Sequence, residues 1–325
     1  MKKLTLAALL ALGSATANAG VVSFDPDQNG VGVNAKGFQL QSPSGGTNTN
    51  DVTLYLGSDL SFSNGDIFTE TVSYDVTGYV DANGVVQTVG STLTFEPDYP
   101  KLNITVDITG HVENVTTDFA ALTIAATNAG LTGPLDPTDS DGDGVTDFNE
   151  LAFQYTSFTI VFDTGIANLV AYNYDHIGSG VYLNNNTTTR IGVFDVTGGG
   201  ADTTSTKGTR SSSDFALDLA INEDFVKNNT SLVEAVYQHG NGDPMVTWDS
   251  VAEALVGDLE LFGVGTSTPL RITGGDFDPI NGPYITILVQ NSGADLEFQV
   301  PEPASLAVFG VGLLGLAGAM RRRKA

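Results

Sequence analysis

The sequence predicts a mainly β protein: an antiparallel β-sandwich or jelly-roll-like domain with one or two short helices, followed by a C-terminal transmembrane helix. Two observations predict the sheet. Apolar and polar residues alternate over many short segments, and turns rich in Gly, Asn and Asp separate those segments. The chain has 325 residues, of which 41% are hydrophobic, so its central part can bury a substantial core as one domain or two. It contains no cysteine, which excludes disulfides, cysteine-based metal sites and thiol catalysis.

The alternation is clearest from Leu102 to Thr109, where each apolar residue is followed by a polar one. Such a strand places one face in a core and the other in water, as antiparallel sheets allow. The same pattern predicts further strands with these apolar positions: Val52-Leu54-Leu56, Val72-Tyr74-Val76, Phe158-Ile160-Phe162, Phe215-Leu217-Leu219-Ile221 and Ile285-Ile287-Val289. Turn sequences lie between them, including SNGD at 63–66, ANG at 82–84 and GGG at 198–200.

Helices are predicted at two places. Ser250 and Glu253 have the spacing of a capping box, and apolar residues at helical spacing follow, which predicts a helix over 251–261. A shorter helical turn is predicted over 224–228. Residues 127–143 are rich in Gly, Pro, Asp and Thr, as an interdomain linker or an insertion at a strand connection would be. Similar strand patterns on both sides favour an insertion, centred on about residues 136–151.

The charge distribution limits the possible partners. Residues 20–300 contain seven basic and 37 acidic residues, a formal charge of −30. This charge repels phosphate backbones and excludes nucleic acid as a partner. It also argues against docking of the domain's own surface on anionic lipid. Divalent cations are the partners that it favours.

The N-terminal segment has the parts of a secretory signal peptide. Two lysines precede an apolar run from Leu4 to Leu12, and small residues before Gly20 provide a cleavage site. The run is too short to cross the hydrocarbon core, which needs about 20 residues. We therefore expect residues 1–19 to be a signal peptide that signal peptidase removes between Ala19 and Gly20, leaving an exported domain over residues 20–298.

The C-terminal segment, residues 299–325, combines a short motif, an apolar stretch and a basic tail. Pro301, Glu302 and Pro303 precede 17 uncharged residues at 304–320, and RRRK follows. As a helix the uncharged stretch is about 25 Å long, enough for a thin bilayer. This order resembles the PEP-CTERM sorting signal of exosortase substrates.

The resemblance implies a Gram-negative bacterium in which the exported chain is held in the inner membrane through residues 304–320. It implies cleavage by an exosortase near residues 301–303. The processed protein is then expected at the cell surface or in the extracellular matrix, among the polysaccharides of a biofilm. The FDPD segment at 24–27 and the strand with Phe153, Tyr155, Phe158 and Phe162, together with the two terminal signals, are also similar to flocculation-associated PEP-CTERM proteins.

Residues 139–150, with the sequence DSDGDGVTDFNE, have the ligand spacing of a calcium loop. The predicted ligands are Asp139, Asp141, Asp143, the backbone carbonyl of Val145, Asp147 and Glu150. Alternate side chains of a tightly turning loop converge on one centre, and Gly144 at position six allows the sharp turn. Gly and Pro residues between 130 and 137 prevent an entering helix. The loop therefore resembles the free-standing calcium loops of dockerin and thrombospondin type 3 segments. The alternative is an acidic, solvated turn; we expect Ca²⁺ in a structural role.

The sequence shows no motif of a common enzyme class. The histidines lie far apart and without zinc-site spacing, at His111, His176 and His239, and neither G-x-S-x-G nor S-x-x-K occurs. The aromatic–acid neighbours at 174–176 and 248–249 occur in sugar sites, although on an alternating strand they usually mark the border between core and surface. We therefore expect a structural or adhesive matrix protein, not an enzyme, that contacts extracellular polysaccharide or sister matrix proteins. The alternative is a secreted carbohydrate-binding protein or carbohydrate-active enzyme.

Overall fold

The computed structural model describes residues 21–25, 32–41, 48–56, 61–88, 101–177, 181–206, 209–257, 259–267 and 271–299. In chain order the elements in these ranges are β1 (Val22–Phe24), β2 (Val33–Gln41), β3 (Asn48–Tyr55), β4 (Ile67–Asp81), β5 (Val86–Thr88), β6 (Lys101–Thr117), α1 (Phe119–Ala129), α2 (Asp147–Gln154), β7 (Thr156–Ile177), β8 (Val181–Thr206), β9 (Thr209–Ile221), α3 (Glu223–Asn228), α4 (Thr230–Val236), β10 (Tyr237–Gln238), β11 (Thr247–Asp249), β12 (Ala254–Val256), β13 (Glu260–Ser267), β14 (Arg271–Asp278) and β15 (Gly282–Gln299).

The main sheet closes on itself. Eight strands form a ring of antiparallel neighbours in the order β2, β15, β13, β9, β8, β7, β6 and β4, and β4 pairs back with β2. β3 is antiparallel to both β4 and β15, as β2 is, so β2 and β3 share one position in the ring. Outside the ring, β1 and β14 pair with β2 and β15, β5 pairs with β4, and β10 pairs with β1. Each of the eight strands pairs with two neighbours over part of its length, whereas the described pairings of residues 181–193 of β8 are with β7 alone.

The mainly β prediction is confirmed, but this closed, barrel-like sheet takes the place of the expected sandwich or jelly roll. The physical reason is the length of β15. β15 has 18 residues and pairs with β14 and β3 through its first half, then with β13 and β2 through its second half. One long strand thereby connects neighbours that two stacked sheets would keep apart. The alternation of residues is the same in both architectures, so it could not distinguish them.

The interior of the closed sheet is filled by the apolar residues that the alternation predicts. Ile104 and Leu219 are each 1% exposed, whereas Asp218, next to Leu219, is exposed. The inward side chains leave a cavity of about 60 Å³. An apolar cavity of about 150 Å³ holds one benzene molecule, so this cavity has less than half of that space. Eight strands therefore enclose a packed core, as expected for this strand number.

The helices differ from the prediction in number and place. The turn predicted over 224–228 is confirmed as α3, where the side chain of Asn222 accepts a hydrogen bond from the Phe225 N–H at 2.9 Å. The helix predicted over 251–261 is wrong, because that segment forms a turn, β12 and the start of β13. β12 pairs with β11, which places Leu255 opposite Trp248, and both side chains pack against the core. The local capping signal was outweighed by this hairpin.

Three helices, α1, α2 and α4, were not expected from the sequence. In α1, Leu122 and Ala126 are buried whereas Phe119 and Ile124 are exposed, so its apolar residues do not mark a single face. α2 begins inside the predicted calcium loop, where the ligand spacing concealed the helix.

Several predictions fall on residues outside the described ranges. These are the signal peptide at 1–19, its cleavage site at Ala19 and Gly20, and the sorting segment from residue 300 onward with its apolar stretch at 304–320. Within the described ranges, no helix has both the length and the apolar character required to cross a membrane.

Candidate metal centre

The predicted calcium loop lies in the connection between β6 and β7. These strands pair as far as Thr117 and Thr156, so residues 118–155 leave the sheet and return to it at one point. Asp118 accepts a hydrogen bond from the Ala121 N–H at 3.0 Å and caps α1. Residues 130–138 contain no helix, in agreement with their Gly and Pro content. Thr146 caps α2, so residues 131–145 lie between two capped helices.

Three aspartates converge in the loop. Asp139, Asp141 and Asp143 each offer a carboxylate oxygen, and these atoms all lie within 4.8 Å of one another. Backbone groups hold the turn, since Asp139 accepts hydrogen bonds from the N–H groups of Gly142 at 2.7 Å and Gly144 at 3.1 Å. Carboxylate oxygens keep further lone pairs beyond such bonds, and they are the ligands that Ca²⁺ prefers. The three side chains can therefore bind one cation without breaking the turn.

The predicted ligands at loop positions nine and twelve lie in the first turn of α2. Asp147 accepts hydrogen bonds from the N–H and hydroxyl of Ser140, at 2.9 and 3.1 Å, and this ties the start of the loop to the helix. Neither Asp147 nor Glu150 belongs to the group of three converging carboxylates. The pKa of Glu150 is raised, first by burial and then by repulsion from Asp143, Asp141, Asp147 and Asp139. A cation among these groups would oppose that repulsion.

The loop is anchored to β14. Val145, the predicted carbonyl ligand, is 4% exposed, and its side chain is part of the core. The carbonyl oxygen of Asp143 accepts a hydrogen bond from the Gly275 N–H of β14 at 3.2 Å. Gly144 has a φ of +90°, and a Cβ there would lie 2.5 Å from the Gly275 carbonyl oxygen, so the position requires glycine. Ordering of the loop and formation of this strand are therefore linked.

Sequence reasoning missed a charged cluster on the outside of β6 and β7. His111 Nδ1 lies 2.7 Å from Asp163 Oδ2, and His111 Nε2 lies 3.2 Å from Glu113 Oε1. The hydrogen bond to Asp163 and then that to Glu113 raise the pKa of His111. A register shift after Thr109 determines which residues of the two strands are neighbours. Such an irregularity has no signal in the alternation of residues.

Two pairs of aromatic–acid neighbours were considered as sugar-site residues. Nothing is described of the side chains at 174–176, whereas those at 248–249 are described. Asp249 accepts hydrogen bonds from the N–H groups of Ala252 and Val251, which lower its pKa, and it thereby holds the turn between β11 and β12. Lys227 Nζ lies 5.2 Å from the ring centroid of the neighbouring Trp248. Both members of this pair therefore have local structural contacts.

Comparison with known proteins identifies one segment of the chain. Residues 299–324 match the family model of the PEP-CTERM protein-sorting motif, which confirms the predicted sorting signal with Pro301, Glu302 and Pro303. No curated protein and no solved structure matches the chain. The similarity to flocculation-associated proteins stays a prediction.

Proposed function

We propose that this exported, exosortase-sorted protein is a structural or adhesive component of the surface or extracellular matrix of a Gram-negative bacterium, and that calcium stabilises it. The observation that carries the proposal is the PEP-CTERM motif at residues 299–324. The motif itself marks the chain for export and exosortase processing. The matrix role and the calcium dependence are the parts that we propose.

The position of the motif relative to the fold supports this processing route. β15 ends at Gln299, and Pro301 follows two residues later. Cleavage near residues 301–303 would therefore leave every described strand and helix in the released part. The apolar stretch and the basic tail would stay with the membrane.

The processing step can be tested by mass spectrometry of the intact protein from cells with and without an exosortase. We expect a mature chain that begins at Gly20, after cleavage by signal peptidase, and ends near residue 300. Glu302→Ala should slow release into the medium. Glu297→Ala, which removes an exposed acid of β15 five residues earlier, should be released normally. Release of the Glu302→Ala protein at the unaltered rate would contradict exosortase processing at this motif.

The calcium part of the proposal is supported by the loop and by its anchoring. Five carboxylates within twelve residues repel one another unless a cation compensates their charge. A cation bound there would connect the 139–143 turn to α2, and β14 already holds the same turn. Magnesium is expected to bind less well, because it requires near-ideal octahedral geometry at shorter distances. Calorimetric titration with each cation tests this part directly.

The surface charge supports a role in cation-dependent contacts. A formal charge of −30 over residues 20–300 suits association with sister molecules or acidic polysaccharide through bridging divalent cations. We propose a non-catalytic role in this setting. A cleft next to the calcium loop supports the alternative, a secreted carbohydrate-binding protein. Binding of a carbohydrate in that cleft is also compatible with an adhesive role.

A further inference from the structure

A cleft lies between α1 and α2, beside the calcium loop. Its volume is about 520 Å³. Small-molecule sites in proteins typically have volumes of about 300–1,000 Å³. None of the sixteen described residues that line it is charged, although the whole chain has a formal charge of −25. An uncharged cleft on so acidic a protein disfavours charged ligands of either sign. The surrounding negative charge repels an anion, and the lining residues provide no carboxylate to bind a cation.

The wall combines aromatic rings with hydroxyl groups. Phe62, Phe119 and Phe148 line the cleft, and Phe119 is 72% exposed. The hydroxyl groups of Thr123 and Thr127 donate to carbonyl oxygens of α1, at 2.6 and 2.7 Å. Because their protons are engaged, these oxygens can only accept further hydrogen bonds. The wall therefore suits a ligand that has an apolar face and also carries hydrogen-bond donors.

Asn149 contributes a polar amide to the wall of the cleft. It is 5% exposed and lines the cleft. Its backbone N–H takes part in the cap of α2, but its side-chain amide has no hydrogen-bond partner among the described residues. Its amide atoms are not among the fully buried side-chain polar atoms that lack a partner in the described residues, so they face the cleft. A ligand in the cleft can therefore form hydrogen bonds with this amide in place of water.

We infer that the cleft binds a neutral saccharide. A purely apolar ligand would cover the Asn149 amide and the threonine oxygens without giving them partners. A pyranose ring has a face of C–H groups that can pack on Phe119 and Phe148. Its hydroxyl groups can donate to the threonine oxygens and form hydrogen bonds with the amide of Asn149. This inference gives a site and a ligand class to the carbohydrate-binding alternative named above, on which it rests, and it does not require calcium.

The test begins with ligand-observed NMR titrations of the processed protein. The probes are glucose, galactose, mannose and their disaccharides, with glucuronic acid as an anionic sugar of the same ring size. We expect saturable binding of at least one neutral sugar and none of glucuronic acid. Absence of saturable binding by every neutral sugar, or equal binding of glucuronic acid, would overturn the inference.

Variants then locate the sugar. Asn149→Leu should weaken binding about tenfold or more, because it removes the amide with which the hydroxyl groups of the sugar form hydrogen bonds. Phe119→Ala should also weaken binding. Ile124→Ala, which removes an exposed residue of α1 outside the cleft lining, should bind like the wild type.

Two outcomes would show that the sugar is held elsewhere: equal affinity in all three variants, or loss of affinity in Ile124→Ala alone. If Asn149→Leu lowers stability, Phe119→Ala still decides, because it removes a side chain that is mostly exposed. The same sugar affinities are expected in calcium and in chelator. Failure here is therefore distinct from failure of the calcium proposal.

Discussion

Replacing Asp139 by alanine should abolish most of the stabilisation by calcium. Asp139 occupies the first ligand position and belongs to the group of three converging carboxylates. Its carboxylate also accepts the N–H groups of Gly142 and Gly144, so it shapes the turn that positions the other ligands. The substitution therefore removes a ligand and loosens the loop. Because the loop is hydrogen-bonded to Gly275 of β14, the effect should appear in the unfolding of the whole sheet.

The expected size follows from linkage. Free-standing extracellular loops bind calcium with dissociation constants of about 10⁻⁴ to 10⁻³ M. At ten times the dissociation constant, binding to the folded state alone adds about 1.4 kcal/mol to the free energy of unfolding. Since 1 kcal/mol shifts the melting temperature of a large domain by about 2–4 °C, calcium should raise it by about 3–6 °C in the wild type. In Asp139→Ala the rise should be below about 1 °C.

Asp136→Ala is the matched control, three residues before the first ligand position. The hydroxyl and N–H of Thr138, together with those of Thr132, donate to the Asp136 carboxylate and hold its pKa well below the usual range. This variant should melt at a lower temperature than the wild type with and without calcium, but calcium should raise its melting temperature by the same amount. Scanning calorimetry of the three proteins, in calcium and in chelator, measures all of these values. An equal increment in Asp139→Ala would mean that the cation binds elsewhere, and no increment in any protein would reduce the loop to an acidic turn.

Three further predictions concern the core, the charged cluster and the loop anchor. Leu219→Asp places a charge at a position that is 1% exposed and should reduce stability by several kcal/mol, close to that of an entire domain, whereas Asp218→Ala should change it by less than about 0.5 kcal/mol in denaturant titrations. His111 has a raised pKa, so its contribution to folding stability should be complete below its unfolded pKa of about 6.5 and should be lost as pH rises through the folded value. The difference in melting temperature between the wild type and His111→Gln should therefore shrink as pH rises. A constant difference from pH 5 to 9 would contradict this assignment. Gly144→Ala should lower the melting temperature even in chelator, because the strain and the contact with Gly275 do not depend on a cation.

The parts of the site that follow a local pattern were predictable, and those that depend on distant neighbours were not. The spacing of Asp139, Asp141 and Asp143 indicated converging carboxylates, because ligands two residues apart in a turning loop share a centre. Nothing in that spacing showed that Val145 would be buried against β14, more than 120 residues later in the chain. The position of Asn149 in the wall of a cleft became visible only once α1 and α2 were placed side by side.

The same division applies to the fold. Alternation along one strand determines which side chains face inward, since the side-chain period of two is a property of the local backbone, and Ile104 and Leu219 are buried accordingly. The helix expected over 251–261 failed because β11 supplied a pairing partner for residues 254–256, which outweighed the local propensity.

By itself, the sequence determined the sorting motif, the β class, the inward faces and the ligand spacing, because each depends on residues within a few positions of one another. Tertiary structure decided the closure of the sheet through β2 and β4, the attachment of the loop to β14 and the neutral cleft beside it. These features depend on pairings between residues distant in the chain. Whether such pairings form depends on the balance between chain entropy and the burial of the complete core, and a local pattern carries no information about that balance.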